Sequence, residues 1–431
     1  MKVIGIETEG LGYNNQMRGI ILTGSKNRKS GQKVPVSRKD LLKAGDGRLL
    51  HPKNFESDEQ FDIAVKKAVA DYLVNESAPD FVVLPIDHAH GKNENADVDK
   101  LALSLKNAFK EQGVNIKTLA MGSNLYNYQN VDIIHIGKHL LSAEDEKLLA
   151  QNLSLKEKVV ETLGVPSNIS WASIKNLAHQ PIAEKILHKY KSFKKILSSN
   201  LLYQKDFILQ EQKGKKNALF SLGGITDNGA IGFDIQDAQN LFQTAIKLKS
   251  KGYNVIFTNS PRTPSDVTDY LFEKCQAFHM DFYNSKKIAQ DENEAKNFRN
   301  YNGKYKKEFE DQAKNIGNIY PAVLDVCDFV VNTHDSFSYT SDAAALGIPS
   351  VVYTGNFIDK QRRPDCYKLF DLCHQKGYVI SLDEAIEKIN KEEKLTTKKM
   401  DDVSTQLVKA MKKSLSLEHE HIKKHTDCNN L

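Results

Sequence analysis

The chain has 431 residues, room for two domains of ordinary size, and its 60 basic and 55 acidic side chains leave a formal net charge of +5. That charge is too small and dispersed for the basic footprint of a dedicated nucleic-acid binder, and it leaves acidic or phosphorylated small molecules as candidate ligands. Five cysteines, Cys275, Cys327, Cys366, Cys373 and Cys428, are few, odd in number and widely spaced, which fits a reducing compartment better than a disulfide framework.

The opening MKVIGIETEG lacks a basic segment followed by an apolar stretch, so it does not read as a signal peptide, and no run approaches the roughly eighteen apolar residues of a membrane span. A soluble cytoplasmic protein is expected. A short strand over residues 1–7 leads into a loop bearing Gly10, Gly12 and Gly19, where backbone approaches a ligand closely before a helix begins. Residues 24–56 are polar and rich in Lys, Gly and Ser, and read as an irregular excursion. A helix over 58–74 carries the apolar stripe Phe61, Val65, Ala68, Val69 and Leu73, and a strand over 81–86 ends in Asp87-His88-Ala89-His90. Titratable residues at a buried strand's end are candidates for proton transfer. A helix near 100–112 and strands near 116–120 and 131–136 follow, the last ending in Gly137-Lys138-His139, so residues 1–150 read as one α/β domain.

Residues 151–215 are Lys-rich and helical in pattern, with few strand signals before 206–209, and read as a helical linker. A second α/β series occupies 216–384. Its first strand ends in Gly223-Gly224; a helix over 235–251 stops at Gly252, and a strand over 254–258 ends in Asn259-Ser260-Pro261-Arg262-Thr263-Pro264, a set of donors suited to phosphate or carboxylate. A strand is expected near 277–282; residues 285–316 are strongly charged, with exposed helix expected over 293–312. The stretch Asp328–Gly355 reads as strand, loop, helix and strand, with Gly347 closing the helix and Pro349 preventing its continuation. Thr333–Asp335 then lies at a strand's carboxyl end and a helix's amino end, where free N–H groups favour an anion. After a strand at 378–381, residues 385–431 read as one amphipathic helix and a fraying tail. His419, His421 and His425 have no ligand partners at metal-motif spacing, and Cys366 and Cys373-His374 form no zinc pattern.

Asn318-Ile319-Tyr320, Leu324, Asp328, Val330, Val331, Thr333, Asp335-Ser336, Ser338, Ser341, Ala343, Gly347 and Pro349 align without a gap to the block NPY, LA-x-AD, VVT-x-DSVSM-x-SEA-x-TGKPV. That block belongs to the mitochondrial-fission "elongated mitochondria" protein family, which this chain resembles. Gly223-Gly224 is similar to the family's GG strand end, 258–264 to its TSRRTP, and Gly10-x-x-Tyr13-Asn14-Asn15-Gln16-x-x-Gly19 to its front loop, with Gly12 in the same stretch. Lys138-His139 loosely matches its P-x-HD. Departures are Asp342 in place of Glu, Pro261 in place of one paired arginine, and residues 24–56.

The resemblance implies an α/β fold of two Rossmann-like domains with a cleft between them, as in GT-B glycosyltransferases. It implies a nucleotide-sugar donor, a UDP- or GDP-sugar, with no cofactor or metal required, held by Gly223, Gly224, Asn259, Ser260, Arg262, Thr263, Asn318, Tyr320, Asp335, Ser336 and Ser338, and by Asp342 on the ribose. Gly12, Asn15 and Gln16 would bind substrate or nucleotide, and with the acceptor against the N-terminal domain Asp87, His88 or His139 would serve as base. Asp335 and Asp342 stand seven apart, one short of the spacing of the common retaining pair, which favours inversion. A nucleotide-sugar epimerase or hydrolase, or a non-catalytic recruitment protein with a protein partner, remains open on the same fold.

Overall fold

The computed structural model describes residues 1–7, 11–24, 41–45, 48–84, 94–122, 125, 128–167, 169, 215–226, 228–296, 299–316 and 320–428. The chain divides into two compact units, one of residues 1–168 with 401–431, the other of residues 169–400.

In the first unit the order is β1 (Val3–Ile6), α1 (Leu11–Gly24), β2 (Leu41–Leu42), α2 (Asp58–Asn75), β3 (Phe81–Leu84), α3 (Glu94–Glu111), β4 (Lys117–Gly122), β5 (Ile133–Gly137), α4 (Ala143–Gln151), α5 (Leu153–Lys158) and β6 (Val159–Thr162). These six strands form one parallel sheet, ordered β2-β1-β3-β4-β5-β6. Alternate side chains point to opposite faces, so Ile4, Ile6, Val82 and Leu84 enter one core while Val3, Phe81 and Val83 enter another. Both faces are covered, which is why these strands read as continuous apolar runs.

Three sequence expectations change here. The glycine loop is shorter, because α1 begins at Leu11 and takes Gly12, Asn15 and Gln16 into its first turns. The excursion over 24–56 contributes β2, a two-residue edge strand too short to show a period. The segment expected as linker contributes β6 as the opposite edge; its VVET follows Lys156 and Lys158 and has only four residues. The strand expected at 206–209 lies outside the described residues.

The second unit runs β7 (Asn217–Ser221), α6 (Ile235–Ser250), β8 (Asn254–Thr258), α7 (Ser265–Ala277), β9 (Asp281–Tyr283), β10 (Lys287–Ile288), α8 (Glu292–Ala295), β11 (Asn300–Tyr301), α9 (Lys306–Ile316), α10 (Tyr320–Val326), β12 (Phe329–Thr333), α11 (Phe337–Leu346), β13 (Ser350–Tyr353), α12 (Pro364–Gln375), β14 (Val379–Ser381) and α13 (Leu382–Asn390). Its parallel sheet is ordered β14-β13-β12-β7-β8-β9. Counted within the unit this is the doubly wound order, with β7 and β12 flanking the point where strand direction of travel reverses. Ala218 and Phe220 face one core and Leu219 the other. The helix expected over 293–312 is divided: α8 and α9 cover its two ends, and between them β11 pairs in parallel with β10. The continuous helix expected from Ala385 is two: α13 stays with the second unit, while α14 (Val403–Cys428) joins the first.

There α14 lays Val403, Leu407, Val408 and Met411 against Met17, Ile20 and Ile21 of α1. Ser404 Oγ fixes the junction, accepting from the Ser167 N–H at 3.2 Å and donating to the Ser167 carbonyl at 3.1 Å. Among the described residues no helix is long and apolar enough to cross a membrane.

Candidate functional site

Open parallel sheets bind ligands outside the carboxyl ends of the strands that flank the reversal. In the second unit those ends carry Leu222-Gly223-Gly224 after β7 and His334-Asp335-Ser336 after β12, with the 259–264 loop arriving from β8. The three segments are bonded into one body. The Gly223 N–H donates to Thr333 Oγ1 at 2.6 Å and the Gly224 N–H to Asp335 Oδ2 at 3.1 Å. The Gly223 carbonyl accepts from the hydroxyls of Ser260, at 3.0 Å, and Thr263. The Ile225 N–H donates to the Arg262 carbonyl at 3.0 Å.

The two glycines have a steric reason internal to this body. A Cβ on Gly223 would collide with the Asp335 carboxylate, and one on Gly224 with the backbone of Arg262 and Thr263. Because the turn is bare, Arg262 crosses it, and its Nη2 donates to Asp335 Oδ2 at 2.7 Å. The Asp335 side chain is fully buried and that of Arg262 is 31% exposed, so the carboxylate sits underneath and the guanidinium at the rim. Asp335 Oδ1 is buried without a hydrogen-bond partner. The backbone donors expected to meet a diphosphate are thus occupied by Thr333 and Asp335, and the rim's cationic donor is Arg262.

Neighbouring residues fix the 259–264 loop. Asn259 Nδ2 donates to Thr268 Oγ1 at 3.1 Å and Asn284 Oδ1 at 2.8 Å, and its carbonyl accepts from the Tyr339 hydroxyl at 3.3 Å. Lys286, just beyond β9, is buried and donates from Nζ to the Thr263 carbonyl at 2.7 Å. Burial pushes its amine down to about 8, against the pull of Asp266 and Asp269. The unfolded chain therefore holds more protons than the folded one between pH 8 and 10.5, and stability rises across that window. Wild type is expected to gain about 2 kcal/mol over Lys286→Met between these limits, read from urea midpoints at both ends; a difference independent of pH would refute this.

His334 packs edge-on to Tyr367 and Phe370 and places Nε2 2.9 Å from the Cys366 carbonyl. A carbonyl only accepts, so Nε2 carries the proton and Nδ1 is bare, buried and without a hydrogen-bond partner. Burial lowers the ring's pKa and keeps it neutral. On α11, Asp342 is buried near Tyr320 and Tyr339, whose ring centroids lie 4.6 Å apart. Burial first and the Asp342 charge second raise both phenols above their usual range. Ser336 occupies the N-cap position of α11 without a side-chain capping bond, and Ser338 is exposed in its first turn.

Of the residues singled out in the sequence, the fold thus gathers Gly223, Gly224, Asn259, Ser260, Arg262, Thr263, Asp335 and Ser336 at one rim, with Ser338, Tyr320 and Asp342 on the adjoining helices. Asp87, His88 and Asn318 lie outside the described residues. In the first unit Gln16 is buried on α1 and His139 is buried with its ring against Gly137. The adjacent His135 is held down to about 3 by burial and then by His139. The sequence reading missed Lys286, Tyr339 and Arg363. Lys286 and Tyr339 carried no pattern, and Arg363-Pro364 signalled only a helix start.

A parallel α/β sheet of doubly wound order, with its polar loops joined at the reversal, defines a Rossmann-like protein, here with a second six-stranded parallel sheet in the other unit. The chain belongs to the Mitochondrial fission ELM1 family, whose sequence model matches residues 101–411. No curated protein matches the sequence. Similar solved structures include a glycosyltransferase from Rickettsia africae ESF-5, at 9% identity and TM-score 0.42, covering 96% of this chain and 92% of that one. UDP-GlcNAc 2-epimerase from Methanocaldococcus jannaschii is 12% identical over 83% of each chain, with TM-score 0.40. The starch synthase IV catalytic domain from Arabidopsis thaliana, bound to ADP and acarbose, is 11% identical over 85% of this chain and 81% of that one, with TM-score 0.36.

Proposed function

We propose that the second unit binds the diphosphate of a nucleotide sugar, a UDP- or GDP-sugar, and that the protein is a GT-B-like glycosyltransferase acting with inversion. The observation that carries this reading is Arg262, held at the sheet's reversal point by a buried carboxylate and exposed on its outer side. A guanidinium preset in this way stabilises charge growing on a departing diphosphate without reorganising during the reaction. Asp342, Tyr320 and the first turn of α11 would meet the nucleoside, and Asp87 or His88 would take the acceptor's proton. Gly223 and Gly224 support the site by admitting Arg262 over the turn.

A second reading, a ligand-binding recruitment protein without turnover, is favoured by one feature: both glycine N–H groups already have partners inside the protein. Thermal shift against UDP, GDP, ADP and CMP and their sugar conjugates tests the donor site. One nucleotide family is expected to raise Tm with concentration, by roughly 5 °C at 1,000 Kd, and Arg262→Ala to lose that shift relative to its own baseline. No shift at millimolar ligand would remove the transferase reading. Binding without release of the nucleoside diphosphate over a range of acceptors would favour the second.

A further inference from the structure

Arg262 reaches the rim from β8, on one side of the reversal. A second arginine arrives from the other side: Arg363 lies in the loop beyond β13, at the N-cap position of α12 but without a side-chain capping bond. Its Nε donates to Asp365 Oδ1 at 2.9 Å and its Nη2 to Oδ2 at 2.7 Å, a fork that fixes the guanidinium plane and leaves Nη1 without a hydrogen-bond partner among the described residues. The side chain is 22% exposed, and its guanidinium carbon lies 5.8 Å from the ring centre of Phe337, the first residue of α11.

The two arginines belong to one electrostatic neighbourhood. Burial works to lower the Arg363 pKa, but the bond to Asp365 and the charges of Asp365 and Asp335 leave it raised. The buried Cys366 thiol, pushed up to about 12 by burial, is acted on by both Arg363 and Arg262. Both guanidiniums are braced by a carboxylate: Arg262 by Asp335, two residues before α11, and Arg363 by Asp365 while it lies over Phe337, the first residue of α11.

We infer that Arg363 is a second anion-binding residue of this site, and that Arg262 and Arg363 together grip a diphosphate. The inference rests on the proposed nucleotide-binding reading for its ligand, but inorganic pyrophosphate probes the grip alone. Two braced arginines on opposite sides suit an anion with two charged groups, whereas one arginine suffices for a single phosphate.

The experiment is isothermal titration of the full chain and of Arg363→Gln with pyrophosphate, orthophosphate and UDP. Wild type is expected to bind pyrophosphate more tightly than orthophosphate, and Arg363→Gln to weaken pyrophosphate and UDP at least tenfold while orthophosphate changes less. Pyrophosphate binding without UDP binding, with the same loss in the variant, would support the grip and count against the nucleotide reading. Unchanged affinity in Arg363→Gln, or no pyrophosphate binding by wild type at millimolar concentration, would overturn the inference. Should Arg363→Gln fail to fold, Arg363→Lys supplies the charge without the fork and is expected to weaken pyrophosphate several-fold; wild-type affinity in that variant would overturn the inference equally.

Discussion

Gly224→Ala is expected to lower stability by about 3 kcal/mol and to abolish any ligand response that depends on Arg262. The added methyl group would collide with the carbonyl of Arg262 and the N–H of Thr263. These are main-chain atoms, and they cannot rotate away as a side chain would. They are also fixed from both directions: the Ile225 N–H bonds the Arg262 carbonyl, and Lys286 bonds the Thr263 carbonyl. Relief requires the turn after β7 and the 259–264 loop to separate, which lifts Arg262 away from Asp335. Gly232→Ala is the control, since a Cβ there meets open space at a backbone angle any residue adopts. Urea unfolding of the two variants side by side decides it. Equal midpoints would show that the two loops are not held as described.

Arg262→Ala is expected to destabilise the protein by about 2 kcal/mol, and Arg262→Ala with Asp335→Asn by less than the sum of the two single changes. The asymmetry in exposure is the reason. The Asp335 side chain is fully buried, so removing Arg262 strands a carboxylate whose remaining donor among the described residues is the Gly224 N–H. The exposed edge of Arg262 already meets water, which places the cost below that of a wholly buried pair. Asparagine removes the stranded charge and still accepts from Gly224. A double-mutant cycle in urea is expected to return a coupling of about 1 to 2 kcal/mol; strict additivity would show that the pair contributes no interaction of its own.

The inner strands of both sheets and most of their helices were legible because burial on both faces writes apolar runs, as in Phe81–Leu84 and Phe329–Thr333. The short edge strands were not: Leu41–Leu42 and Val159–Thr162 are fixed by pairing to β1 and β5, contacts that no local pattern encodes. At the candidate site, strand ends and glycines pointed to the rim where these loops are bonded together, but not to what the glycines face. Gly223 and Gly224 read as space for a ligand, and the structure fills that space with Asp335 and the backbone of Arg262. Arg363 stayed hidden because it is separated from Arg262 by a hundred residues of sequence, about the length at which only the completed sheet brings loops to one edge.

The return of α14 to α1 has a consequence for synthesis. Met17, Ile20 and Ile21 leave the ribosome before the second unit, and their cover, Val403 to Met411, is made after the whole of it. A chain emerging in that order completes its inner domain before its outer one. Until α14 arrives, the nascent first unit carries an uncovered apolar stripe along α1, the kind of surface that chaperones recognise. Truncation shortly before residue 403 would make that transient state permanent.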